Sequence, residues 1–124
     1  MNAKTEQEQI IADWRQKAVD DLESAEILFK QTNKYDIVAF HAHQAVEKAL
    51  KAGLIREGQA PRRTHDLQDL LVALKKRPLG EEVEIRVIAL NILYPVLRYP
   101  TGDAVTRDQA AESIATAKLV LAKL

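Results

Sequence analysis

The sequence predicts an all-α protein, an up-and-down four-helix bundle with an additional short helix, and three observations carry that expectation. Alanine and leucine dominate a chain that is 47% hydrophobic and only 5% aromatic, a usage suited to helices around an aliphatic core. Apolar residues recur at spacings of three and four, the period of one helix face. Four stretches rich in turn-forming residues interrupt them: Gln31-Thr32-Asn33, Gly58 to Arg63, Arg77-Pro78-Leu79-Gly80 and Tyr99 to Val105. Long antiparallel helices joined by short loops pack as an up-and-down bundle. At 124 residues the chain is expected to form one domain, residues 1–124, with one core.

The first helix opens with Thr5 and Glu8, the spacing of a capping box, and its apolar stripe is Ile11, Trp14, Ala18, Leu22, Ala25 and Phe29. Asn33 is the expected cap of the second, which should stop at Gly58, where glycine takes the left-handed conformation. A short third helix follows Thr64 or Asp66 and carries Leu67, Leu70, Leu71 and Leu74. The fourth, Glu81 to Leu97, has two stripes: Val83, Val87, Leu90, Tyr94 and Leu97, and Ile85, Ile88, Ile92 and Val96. A helix apolar on two sides is either central in its bundle or shared with a second chain. In so small a protein the second stripe predicts a homodimer with this helix at the interface. The last helix opens with Thr106 and Gln109, again at capping-box spacing, and buries Ala110, Ile114, Ala117 and Leu121.

Charge and composition exclude several functions. Eighteen basic and eighteen acidic residues cancel, so no net field draws the chain to nucleic acid or to an anionic membrane, and RNA binding needs a local basic patch. With no cysteine there is no disulfide, thiolate metal site or cysteine nucleophile. The opening MNAKTEQEQI is polar and no long apolar run follows, so a cytoplasmic protein without a membrane segment is expected.

All three histidines fall between Tyr35 and Leu67. Residues two apart on a helix diverge by roughly 200°, so His41 and His43 point to opposite sides and cannot share a metal. A di-iron bundle needs a glutamate three residues before a ligating histidine; those positions hold Val38, Phe40 and Arg62. No metal and no cofactor are expected.

On the wheel of the second helix, Val38, Ala42, Ala45, Ala49 and Gly53 form a narrow face that lets a neighbour approach closely. Phe40, Gln44, Glu47 and Lys51 fall on the other side, with His41 and Lys48 beside them. This stripe reads either as a solvated face held by local charge pairs or as a polar groove for a nucleotide or a partner. His43, near Leu50 and Leu54 on the wheel, reads as a partly buried structural histidine. In APRRTHDL, Arg62 and Arg63 immediately precede a helix start whose free N–H groups favour phosphate; the alternative is a capped start with His65 bonded to backbone. In LRYPTGD, Arg98 and Tyr99 end an apolar helix before a Pro-Gly turn. Arg98 there either neutralises the helix C-terminus or reaches a phosphate.

The runs FHAHQAVEKALKAGL, RRTHDLQDLL and LRYP, preceded by AVDDLESAEILFKQTNKYDIVAF, resemble a HEPN domain (higher eukaryotes and prokaryotes nucleotide-binding) of the stand-alone prokaryotic type, over about residues 10 to 122. The resemblance implies a helical bundle, usually dimeric, associated with nucleotide binding. It also implies one half of a two-gene toxin–antitoxin-type module whose other half is a minimal nucleotidyltransferase. Several branches of the family are metal-independent ribonucleases with an Arg-x4-6-His motif. That motif is absent here: no histidine follows His65, so Arg77, Arg86, Arg98 and Arg107 have no partner, and Arg15 and Arg56 lack one at the right distance.

The leading expectation is therefore a binding module for a nucleotide, RNA or a nucleotidyltransferase. Its contacts would be His41, Gln44, Glu47, Lys48, Lys51, Arg63, His65, Arg98 and Tyr99. The alternatives are a ribonuclease with a nonstandard site, using His65 or His41 to move the proton and Arg63 or Arg98 to stabilise charge, or a purely structural helical dimer.

Overall fold

The computed structural model describes residues 5–60, 62–98 and 102–124, with only the backbone of Val96 and Arg98. Six helices follow in order: α1 (Glu6–Gln31), α2 (Tyr35–Arg56), α3 (Leu67–Ala73), α4 (Glu81–Ile92), α5 (Tyr94–Arg98) and α6 (Arg107–Lys123). No strand occurs among the described residues.

Local signals set most of the boundaries. Thr5 accepts from the Glu8 amide while the Glu8 carboxylate accepts from the Thr5 amide, and Thr106 and Gln109 repeat the exchange at α6. At the end of α2, Gly58 (φ 88°) donates to Ile55 and Gln59 donates to Leu54, the two bonds of a Schellman motif that only a left-handed residue completes at no steric cost.

Two boundaries differ from expectation. α2 starts after Lys34 without a side-chain cap, and it is the Thr32 hydroxyl, not Asn33, that accepts from the Lys34 amide. The predicted Glu81–Leu97 helix is broken at Leu93 into α4 and α5. The cause is Pro95: it has no N–H to offer the Asn91 carbonyl, and its ring crowds that carbonyl. Past the break, the Tyr94 ring packs against His43 of α2.

α2 is the axis of the molecule and packs against each of the other five helices. Its face of small residues does what the wheel predicts: Val38, Ala42, Ala45 and Ala49 are fully buried. A Cβ on Gly53 would lie 3.2 Å from Leu124 Cδ2 and 3.3 Å from Leu74 Cδ2, so the missing side chain permits that close approach. Leu50, Leu54, Leu67 and Leu70 are sealed in the main core, each stabilising the fold by about 2 kcal/mol. α4 buries Val83, Val87 and Leu90 but leaves Ile85 59% and Ile92 71% exposed. Of its second stripe, Ile85 and Ile92 face outward while Ile88 packs against the main core, and the central place belongs to α2. No helix among the described residues is long and apolar enough to cross a membrane.

Candidate functional site

Because α2 is enclosed on most sides, its polar residues have to find partners in neighbouring elements. They do so in two networks, neither of which is the open stripe that the wheel suggests.

In the first, Glu47 and Lys51 lie one turn apart on α2 and are both buried, with Lys51 Nζ 3.0 Å from Glu47 Oε2. The other carboxylate oxygen of Glu47 is 2.9 Å from Nδ1 of His65, on the loop before α3. Lys51 Nζ also stands 5.6 Å from the ring centre of Trp14 on α1, a cation–π contact strengthened by the low dielectric around it. The buried carboxylate is thus clamped between a lysine and a histidine, and it fixes the plane of the imidazole. The His65 side chain is itself 57% exposed.

Three rings continue this network inward. His65 stacks on Tyr94 of α5, with centroids 5.9 Å apart and planes at 17°, and Tyr94 contacts His43 at 4.5 Å. His43 is fully buried, and among the described residues neither of its ring nitrogens has a hydrogen-bond partner. Burial drives its pKa down from 6.5 to about 4, against the opposing pull of the Glu47 and Asp66 carboxylates. It is neutral at pH 7. Its predicted scaffold role holds, with complete rather than partial burial.

The second network joins α2 to α1. Asp21 Oδ2 lies 2.6 Å from Lys48 Nζ, and Asp21 Oδ1 lies 3.2 Å from His41 Nδ1, with Phe40 edge-on to the His41 ring. His41 and His43 therefore face different elements, α1 and α5. Among the described residues no three His, Cys, Asp or Glu side chains are grouped to hold a metal ion.

The structure brings Glu47, Lys51 and His65 together and sets His41 and Lys48 apart from them. Gln44 is half-buried, and Arg63 is exposed on the loop next to His65. The predicted phosphate cradle at the start of α3 does not form. Asp66 accepts from the Gln68 amide, the Leu67 amide donates to Asn91 Oδ1, and Asn91 Nδ2 returns to Asp66. Those N–H groups are occupied, and a carboxylate stands where the anion would sit. The Arg98 side chain and Tyr99 lie outside what the structure describes.

Sequence reasoning missed Trp14, Asp21, Asn91 and the ring-contact role of Tyr94. Asp21 borders the α1 stripe, beside Leu22, where an acid meets the neighbouring helix.

The family model described as HEPN domain matches residues 11–124. The crystal structure of TT1696 from Thermus thermophilus is similar at a TM-score of 0.80 and 28% sequence identity, covering 91% of this chain and 94% of that one. No curated protein matches the chain.

Proposed function

Because this chain belongs to the HEPN domain family, we propose that it is a cytoplasmic nucleotide-binding component of a two-gene, toxin–antitoxin-type module, acting with a minimal nucleotidyltransferase partner. One observation carries the binding part of this reading: an exposed imidazole, His65, is held in a fixed plane by a buried carboxylate and is backed by a parallel tyrosine ring. A pre-oriented aromatic surface binds a nucleobase by stacking at little entropic cost, and stacking contributes about 1–3 kcal/mol per base. Arg63, exposed two residues away, supplies a cation for the phosphates. Lys51 and Glu47 act through His65, as the groups that position it.

This chain works as a homodimer through the outer face of α4, where Ile85 and Ile92 leave an apolar surface that water covers poorly. The test of the binding reading is calorimetric titration of nucleotides into the wild type and His65→Ala. Binding that is equal in the two proteins removes the site.

A second reading, metal-independent cleavage of RNA, is favoured by the same contact. An imidazole whose Nδ1 engages a buried carboxylate keeps Nε2 free to accept a proton from a ribose 2′-hydroxyl. It predicts cleavage of single-stranded RNA in the presence of a chelator, lost in His65→Ala. Intact RNA after prolonged incubation leaves the binding reading alone.

A further inference from the structure

A cavity of about 220 Å³ opens at the C-terminal end of α2, beside Gly53, which lies against Leu74 and Leu124. Four cations line it: Arg15 from α1, Arg56 from the last turn of α2, and Lys76 and Arg77 from the α3–α4 loop. Among the described residues none of the four is paired with a carboxylate. In a chain with no net charge, four unpaired cations around one concavity are a concentrated positive field.

The one acid in the lining, Glu57, is already engaged. Its carboxylate accepts from the backbone N–H groups of Lys75, Lys76 and Arg77 at 3.2, 3.0 and 3.3 Å. Glu57 therefore fixes the loop that carries Lys76 and Arg77 against the end of α2. Arg15 is anchored in its turn, its Nη2 donating to the Leu121 carbonyl at 2.9 Å. The cations stand on tethered segments, so a ligand meets them already gathered. A second cavity, of about 370 Å³, shares Arg15 and Arg56 as a common wall and is otherwise lined by Gln7, Glu8, Ile11 and Ala12 of α1.

We propose that this cavity binds a phosphomonoester. Three of the four cations are arginines, whose forked donors match phosphate oxygens, and a dianion balances the cluster better than a single carboxylate does. The floor at Gly53 and Leu74 is apolar and suits a small organic substituent. The volume lies below the 300–1,000 Å³ or so typical of larger organic ligands, which fits a phosphate with a compact group attached. The site is separate from the His65 surface and does not depend on it.

Inorganic phosphate is the first probe, titrated calorimetrically into the wild type, the double variant Arg56→Gln/Arg77→Gln, and His65→Ala. Both arginines are exposed, so the double variant keeps its fold, and its circular dichroism checks this. Saturable binding is expected in the wild type, weakened about tenfold or more in the double variant and unchanged in His65→Ala. No saturable binding, or equal affinity in the double variant, overturns the proposal, and so does loss confined to His65→Ala. Short single-stranded oligoribonucleotides with a 5′-phosphate or a 5′-hydroxyl then identify the source. Tighter binding of the phosphorylated strand than of inorganic phosphate, lost in the double variant, assigns the cavity to nucleic-acid ends; equal binding assigns it to small phosphate esters.

Discussion

Glu47 Oε1 and His65 Nδ1 stand 2.9 Å apart, joining a position buried on the central helix to a ring that meets solvent. The contact spans 18 residues of sequence and makes the orientation of a surface group depend on the core. It also asks a buried carboxylate to satisfy two partners at once, Lys51 and His65.

Removing that carboxylate should be costly. Glu47→Ala leaves the Lys51 ammonium buried without its counter-charge and is expected to destabilise the protein by about 3 kcal/mol, as a fall in the urea midpoint. Lys51→Met is expected to cost clearly less, because Glu47 keeps His65 and the methionine fills the space against Trp14. Equal losses would contradict the pairing described here.

His43 sets a pH dependence. Its pKa is about 4 in the folded protein and 6.5 in the unfolded chain, so between those values the unfolded state binds the extra proton. Its contribution to stability is therefore complete above pH 6.5 and is lost as the pH falls towards 4, up to about 3 kcal/mol. Subtracting the stability profile of His43→Phe from that of the wild type isolates the effect. A difference that stays flat from pH 7 to 4 refutes it.

Glu57 gives a local counterpart. Burial alone would raise its carboxyl pKa, but the backbone N–H groups of Lys75, Lys76 and Arg77 and the Gln59 amide outweigh this and hold it below the usual carboxylate range. Amide exchange at residues 75–77 is expected to quicken selectively in Glu57→Gln, and in the wild type once acid reaches that lowered pKa. Uniform change along the chain would argue against a carboxylate tether.

The proposed dimer rests on the α4 stripe. Ile85→Asp together with Ile92→Asp should give a monomer by light scattering coupled to gel filtration, with helicity retained because both positions are exposed. A wild type that is already monomeric at high concentration removes the dimer.

What the sequence made legible was local. The capping boxes at Thr5 and Thr106 and the left-handed Gly58 need only neighbours within one turn, and the alanine face of α2 follows from helical period. The candidate site was legible in part, since His65, Glu47 and Lys51 were all marked. Their burial was not, because it depends on His65 crossing 18 residues to reach Glu47 and on Trp14 arriving from another helix. The start of α3 is hidden for the same reason: Asn91 reaches its first amide from 24 residues away. The bend at Leu93 is different, for Pro95 announced it locally.

The most direct measurement is thermal unfolding against a nucleotide panel, made in the Arg56→Gln/Arg77→Gln background so that the basic cavity does not contribute. A nucleotide that binds the folded protein at a hundred times its Kd adds about 2.7 kcal/mol, a rise of several degrees in Tm for a domain of this size. The expected result is such a rise with at least one nucleotide, abolished by adding His65→Ala. No rise with any nucleotide, or a rise that survives His65→Ala, contradicts nucleotide binding at the His65–Tyr94 surface.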